Sequence, residues 1–358
     1  ALCGAGAAMA QTAPASKVEL WGIVDAAVRH TNNEGVNQKS KTQMIGGGMS
    51  QSRWGINVTE DLGGGNTALV VLENRLNADD GSVSTPFFQL ANLGLQTPYG
   101  RLTAGRQWNV LFDVVTRTYA SFPYSPYMDA YKPEIGMALG ARANSMLKYT
   151  VELGPVRGAL QYSRSEGSPT GGATRGGYVR YAQSGFAGGV GYQDYEFGSG
   201  KKIKAWTAGG SYRTGPWYFN LGYGQNKVDA GLTPVDMAVL GAFWSGNVNG
   251  GFGGPGFLVA NKRKMYTIGL GYQVTPQLNL GLHYFRAKQS GVAAAANARA
   301  NFVTVAADYA FSKRTDFYVE VDRTTLSGDH VSLASAADNK PNGAKSRWGV
   351  TVGLRHRF

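Results

Sequence analysis

KVELWGIVDAAVR, Lys17 to Arg29, alternates with a period of two residues. Val18, Leu20, Gly22, Val24, Ala26 and Val28 share one face, and Glu19, Asp25 and Arg29 share the other. Successive side chains of a strand point to opposite faces of its sheet, so the stretch reads as a strand with one apolar and one charged side. AKSRWGVTVGLRHRF, Ala344 to Phe358, repeats the pattern. There Trp348, Val350, Val352 and Leu354 oppose Arg347, Thr351, Arg355 and Arg357. Apolar faces backed by charged faces fit strands with lipid outside and water inside.

Outward from these two ends, the chain divides into segments of roughly 8 to 13 residues, the span of tilted membrane strands. Short turns fall at 61–65, 97–100, 154–155, 184–187, 214–216, 275–277 and 312–315. Longer, less regular stretches lie between them, the longest at 109–141, 229–262 and 326–343. Seven short turns and eight longer connections join about sixteen strands, with short turns on the periplasmic rim and long loops outside. In lipid every backbone N–H and C=O needs a partner, so the first and last strands must pair and close the sheet. At that strand number side chains cannot fill the lumen, which therefore holds water. The expected fold is all-β: one transmembrane antiparallel β-barrel.

Composition agrees. The 358 residues include 51 glycines and 19 tyrosines, and only 16% are charged, below the quarter or so usual for soluble domains. Mean hydropathy is nevertheless −0.23, and no apolar run reaches the length of a membrane helix. The single cysteine, Cys3, rules out a disulfide scaffold, a Cys-ligated zinc site and thiol catalysis in the rest of the chain. Residues 1–10 are small and apolar and end in Ala8-Met9-Ala10, the remnant of a secretory signal, which assigns 11–358 to the barrel. The net charge is +12, but Lys and Arg are dispersed and no nucleic-acid-binding signature occurs. Trp21, Tyr149, Tyr181, Tyr223, Tyr272, Tyr284, Tyr309, Tyr318 and Trp348 stand near strand ends, where aromatic girdles form. The opposite strand faces carry Gly, Asn, Thr, Arg and Lys, which argues against a soluble barrel with an apolar interior.

Strand parity directs several charges inward. Trp54, Ile56 and Val58 face out, which turns Arg53 in; Val70 and Leu72 face out, which turns Glu73 and Arg75 in. Leu147, Tyr149 and Val151 face out, which turns Arg142 and Lys148 in. The 109–141 stretch carries Asp113, Asp129, Lys132 and Glu134 among aromatics.

At this level of detail the residues resemble a family. Leu20-Trp21-Gly22-Ile23-Val24-Asp25 is similar to the opening strand of the general porins of β-proteobacterial type. Ser52-Arg53-Trp54-Gly55 and the Glu60-Asp61-Leu62-Gly63-Gly64-Gly65 turn resemble the family's second strand. Gly105-Arg106-Gln107 resembles the lead into its third loop, and Arg142, Asn144-Ser145 and Tyr149 the strand that follows. Phe311-Ser312-Lys313-Arg314-Thr315 and the terminal Gly353-Leu354-Arg355-His356-Arg357-Phe358 complete the series in order.

The resemblance implies an outer-membrane homotrimer whose subunits conduct ions and small hydrophilic solutes passively, with no cofactor or metal; the inward balance of Arg53, Arg75, Arg142, Lys148 and Arg180 against Glu73 and Asp113 adds a mild anion preference. It implies that the third loop folds into the lumen and narrows it. The constriction is then formed by Arg53, Glu73, Arg75, Arg142, Lys148 and Asp113, with Arg53 and Arg142 at the family's arginine positions. Phe358 is read as the signal for the barrel-assembly machinery. The chain departs from the pattern at Gln89, where the family often carries an arginine, and this weakens the positive cluster. Three alternatives stand beside this reading. A substrate-selective channel would use Tyr119, Phe122, Tyr124, Tyr127 and Tyr131 as a stacking track. An outer-membrane hydrolase would need one of His30, His283, His330 and His356, without a G-x-S-x-G or H-E-x-x-H motif to support it. A soluble all-β binding protein would fold without detergent.

Overall fold

The computed structural model describes residues 16–120, 141–164, 172–246, 260–291, 297–328 and 342–358. The signal-like segment 1–10 lies outside the described residues, as do Phe122, Tyr124, Tyr127, Asp129, Tyr131, Lys132, Glu134 and His330.

The first eight strand segments are β1 (Lys17–Thr31), β2 (Lys41–Ile45), β3 (Arg53–Gly63), β4 (Asn66–Leu76), β5 (Val83–Thr97), β6 (Gly100–Trp108), β7 (Arg142–Leu153) and β8 (Val156–Arg164). The next five are β9 (Ala173–Gln183), β10 (Phe186–Glu196), β11 (Lys202–Thr214), β12 (Trp217–Val228) and β13 (Ala260–Gln273). The last are β14 (Leu278–Gly291), β15 (Ala298–Ala310), β16 (Thr315–Ser327) and β17 (Ser346–Arg357). Every pairing is antiparallel between wall neighbours. β2 and β3 share one wall position: β1 pairs with β2 through Ala27 to Thr31 and with β3 through Lys17 to Ile23. β1 also pairs with β17, from Ile23 opposite Arg357 to Thr31 opposite Gly349, and the sheet closes. The result is a sixteen-position barrel, as the alternation in the sequence requires.

The two faces separate as parity dictates. Leu20, Leu160 and Leu221 are each more than 60% exposed on the outside. Asp25, Glu320 and Arg355 are buried on the inside. Two of the aromatics expected in the girdles point the other way. Trp21 shares the inward parity of Asp25, and its indole lies against Gly55. Tyr318 is fully buried, with its hydroxyl donating to Asp25. Both lie near strand ends, but parity decides the face.

The inner face is also less uniformly polar than expected. A second helix-bearing connection, with α2 following α1 (Val110–Thr118) in the chain and spanning Pro234–Gly246, seats Met237, Val239 and Leu240 on the wall. The apolar cluster beneath includes Ile203, Val228, Met265, Phe285, Phe302 and Leu326. Positions that would face water in an empty cylinder become core where a loop folds back over them.

Candidate functional site

α1 opens the third long connection and lies inside the barrel against β8, β9, β10 and β11. Its Val110, Leu111, Val114, Val115 and Thr118 are buried, one stripe at helical spacing. The wall has been cleared to receive them. A Cβ on Gly189 would stand 2.8 Å from Val114 Cγ2, and one on Gly176 would stand 2.9 Å from Val110 Cγ2. Tyr119, at the helix end, is held between Gly209 and Gly222 and hydrogen-bonds to the Thr207 hydroxyl. Gly189 and Gly209 thus have a role beyond close strand packing and bending, since they form the floor of a docked helix.

Polar groups fix both helix ends. The Asn109 side chain accepts from Phe112 N at 2.8 Å, and Val110 N donates to Gln161 Oε1 at 2.7 Å. These two bonds satisfy N–H groups that a helix start leaves unpaired. At the far end Arg180 Nε donates to the Arg117 carbonyl, and Tyr218 Oη to the Ala120 carbonyl.

The side of α1 turned from its wall meets the charged residues. Lys148 Nζ lies 2.7 Å from Asp113 Oδ2 and also donates to the Trp108 carbonyl at 2.8 Å. Glu73 Oε1 stands 3.2 Å from Arg75 Nε and 3.9 Å from an Arg142 nitrogen. Both guanidinium groups approach the Trp108 indole, Arg142 at 3.7 Å and Arg75 at 5.3 Å from the ring centre. Trp108 in turn stacks on Phe112 of α1, with centres 3.7 Å apart and planes within 8°. Cation–π contact and stacking together fix the two arginines at the root of the loop. Arg53 is the direct cross-strand neighbour of Arg75.

Of the six residues read as the constriction, Glu73, Arg75 and Arg142 therefore form one cluster with Arg53 beside it. Lys148 and Asp113 form another, joined to the first through Trp108 and Phe112. Lys148 does not face the loop across the lumen; it binds it. Gln89 is buried and donates to the Pro86 carbonyl at 2.6 Å.

Sequence reasoning missed Trp108 and Phe112, whose spacing of four residues is the available signal. It also missed the segment 46–52 between β2 and β3. That segment is pinned by Asp25, whose carboxylate accepts from the backbone N–H groups of Gly48, Met49 and Ser50. Its Gln51 Oε1 accepts from Arg75 Nη1 at 2.7 Å, and its Ser50 Oγ from Arg355 Nη1 at 2.7 Å. Arg355 also pairs with Asp316 and Asp308, and Arg29 with Asp322. A continuous ionic lining thus runs from β16 and β17 past β1 to β4 and β7. On the short-turn side, Arg117, Arg157 and Arg180 line a cavity of about 350 Å³ with one carboxylate, Glu152.

The aromatic track imagined for a selective channel loses Tyr119, which is packed into the wall. His283 faces inward, on the same side of β14 as Gly281 and Phe285. It is buried, stacks on Phe285, and its Nε2 hydrogen-bonds to Thr267. Among the described residues no group of three or more His, Cys, Asp or Glu side chains could hold a metal ion. Gly22, on the outward face of β1, is covered by the Phe358 ring of the same chain.

Comparison with known proteins places these features among relatives. The family model for Gram-negative porins matches residues 1–329. Outer membrane porin protein 32 of Delftia acidovorans is 27% identical over 386 residues, spanning 100% of this chain and 97% of that one. An outer membrane porin protein of Bordetella pertussis is 25% identical over 415 residues, spanning 99% and 96%. Among solved structures, an anion-selective porin from Comamonas acidovorans superposes with a TM-score of 0.77 at 24% identity, covering 96% of this chain and 100% of its own.

Proposed function

The chain belongs to the Gram-negative porin family of the outer membrane, and from that premise we propose that it is a passive pore for ions and small hydrophilic solutes with a preference for anions. The observation that carries the proposal is the Glu73–Arg75–Arg142 cluster held against Trp108 where α1 enters the lumen. Two guanidinium groups and one carboxylate leave a net positive charge at the narrowed section, and fixed charge at a constriction sets ion preference. Arg53 adds to it from the neighbouring strand. Lys148 and Asp113 neutralise each other and act instead as a tether for the loop. Three such subunits form the homotrimer, and Phe358 serves as the assembly signal.

Planar-bilayer recording tests this reading. A unit charge about 4 Å from a passing ion is worth about 1 kcal/mol in water, a factor of about 5 in an equilibrium ratio. Because the charge favours an anion and disfavours a cation by that same amount, Arg142→Ala should lower the anion-to-cation permeability ratio by about 30-fold at most. Glu73→Gln should raise it, because the same cluster then loses its negative member. Arg53→Ala should act in the direction of Arg142→Ala. An unchanged zero-current potential in Arg142→Ala and Glu73→Gln would remove this cluster from the selectivity of the pore.

A further inference from the structure

β2 and β3 occupy one wall position, but the chain between them leaves the wall. On that side the ladder of β1 runs from Lys17 to Ile23, where Arg53 is the partner, and resumes at Ala27 with Ile45. Seven residues, 46–52, therefore stand opposite three, Val24, Asp25 and Ala26. Ser52 closes the gap: its hydroxyl accepts from Asp25 N at 2.9 Å and donates to the Asp25 carbonyl at 3.0 Å. Extra residues in one strand bend it and re-aim its side chains. Here they turn inward, since the hydrogen-bond partners of 48–51 are Asp25, Tyr318, Arg355 and Arg75, all on the inner face.

The place where this happens gives it meaning. α1 is seated on β8 to β11, and in the closed order of the sheet β10 stands eight of the sixteen wall positions from β1. The segment 46–52 therefore enters the lumen from the side opposite α1. Arg75 is bound to both inward elements: it faces the Trp108 ring, which stacks on Phe112 of α1, and its Nη1 donates to Gln51 Oε1 at 2.7 Å. Gly48, Met49, Ser50 and Ser52 are buried, whereas Gln51 keeps part of its surface. Beneath them Asp25 is fully buried, and its carboxylate accepts from three successive N–H groups, Gly48 at 3.2 Å, Met49 at 3.1 Å and Ser50 at 2.6 Å. Successive N–H groups curled around an anion make a strong, directional cradle. Tyr318 Oη donates to the same carboxylate and accepts from Met49 N at 3.1 Å. A Cβ on Gly48 would strike that hydroxyl, so the close approach needs glycine.

We propose that 46–52 is a second narrowing element fixed opposite α1, that Gln51 on it is a specificity-determining residue of the pore, and that Asp25 is the positioning residue that keeps Gln51 against Arg75. Gln51 occupies Arg75 Nη1 and so prevents the guanidinium from closing on Glu73 with both of its donors, the fork geometry that arginine and carboxylate otherwise favour. The positive end of Arg75 then stays turned to the water path. Asp25 reaches this contact through the backbone of 48–50, which it holds in place. The inference rests on the reading of the chain as an anion-preferring pore.

Zero-current potentials of the full chain in a planar bilayer test it. Gln51→Glu, which sets a carboxylate beside Arg75, should lower the anion-to-cation permeability ratio about fivefold or more, and Gln51→Lys should raise it by a similar factor. In an Asp25→Ala background Gln51→Lys should change the ratio by less than about twofold, because a freed segment carries the like charge away from Arg75. The loss of the Asp25 charge itself is common to both members of that pair and cancels. Asp25→Asn keeps a carbonyl acceptor for the backbone N–H groups and should restore most of the Gln51→Lys effect. Where Asp25→Ala does not refold, Tyr318→Phe takes its place, since it removes the hydroxyl shared by Asp25 and Met49. A wild type that conducts and is indifferent to both substitutions at Gln51 would overturn the proposal and leave the pore reading standing. An equal Gln51→Lys effect with and without Asp25 would also overturn it, by reducing Asp25 to a contributor to stability alone. A wild type that does not conduct would end both readings.

Discussion

Gly209→Val probes whether the inner wall is shaped to dock α1. The added Cβ would fall 2.6 Å from Tyr119 Cγ and Cε1, about 1 Å inside the usual carbon–carbon separation. Tyr119 cannot yield, because a Cβ on Gly222 would lie 2.6 Å from Cδ2 on the other side of the ring. Overpacking of this kind costs about 1–3 kcal/mol. The wall itself should not suffer, since valine is favoured over glycine in strands. The cost therefore falls on the docked loop, and the ratio of docked to displaced α1 should drop about 5- to 150-fold. Single-channel records should show this as flicker between conductance levels at voltages where the parent channel is quiet, with the unfolding temperature of the barrel unchanged. Tyr119→Ala should also loosen the loop, by about 3–5 kcal/mol. In that background Gly209→Val should add nothing, because the ring it strikes is gone. A double-mutant cycle measures the coupling. Additive effects of the two substitutions would refute the idea that Gly209 is open for Tyr119.

Three further outcomes follow from the same contacts. Asp25→Ala leaves the Gly48 and Ser50 N–H groups and the Tyr318 hydroxyl without their acceptor, while Met49 N–H keeps only its bond to Tyr318 Oη, which should cost about 3 kcal/mol; thermal unfolding in detergent should show a lower midpoint. At the start of α2, burial pulls the Asp236 carboxyl up, but bonds from Ser199 and Thr233 and the charge of Lys201 outweigh it and hold it below its ordinary 3.8. The ionised form thus stabilises α2 above that value and the gain is lost as pH falls through the lowered one, so hydrogen exchange over 234–240 should accelerate in acid and lose this pH dependence in Asp236→Asn. Arg117→Gln/Arg180→Gln removes two of the cations around the short-turn cavity; with Arg117 exposed and Arg180 half-buried, the anion preference should fall only about twofold, and zero-current potentials in the two orientations of the salt gradient should become more nearly equal.

Much of this architecture is legible in the sequence because a barrel has one periodicity and one constraint. Period two assigns Arg53, Glu73, Arg75, Arg142 and Lys148 to the inner face, and closure pairs β1 with β17. Helices and inward segments are legible only in part, for a physical reason. Whether an inward residue meets water or another segment depends on loops that carry no strand alternation. Val110, Leu111, Val114 and Val115 do form a helical stripe, yet a nine-residue stripe inside a long connection competes with many random matches. The glycines at 176, 189, 191, 209 and 222 are the stronger sign: all share inward parity on four adjacent strands. Trp21 and Tyr318 read as girdle residues because girdle aromatics cluster near strand ends, a rule about height that says nothing about face.

The division of the inner wall decides where the water path runs. Along β9 to β12 the inward residues at mid-height are mainly small, Gly176, Gly189, Gly191, Ala205, Thr207, Gly209 and Gly222, with Tyr178 beside them, and α1 packs over them. Nearer the external mouth the inward residues of β11 to β16 include an apolar cluster, with Asn226, Arg263 and Gln289 buried beside it, and α2 packs on that cluster. The two helices therefore stand over β8 to the external ends of β15 and β16. The rest of the wall, from the short-turn parts of β15 and β16 round to β7, keeps its charges: Arg29 and Asp322, Arg355 with Asp316 and Asp308, then Arg75, Glu73 and Arg142. Burying these ions in a dry core would cost several kcal/mol each, whereas water beside them removes most of that cost. A permeating ion is thus confined between a covered wall and an ionic one, and its dielectric surroundings are asymmetric across the pore. The charged wall acts at short range on whatever passes, which is why a single substitution at Arg142 should be felt in selectivity although the lumen as a whole is wide.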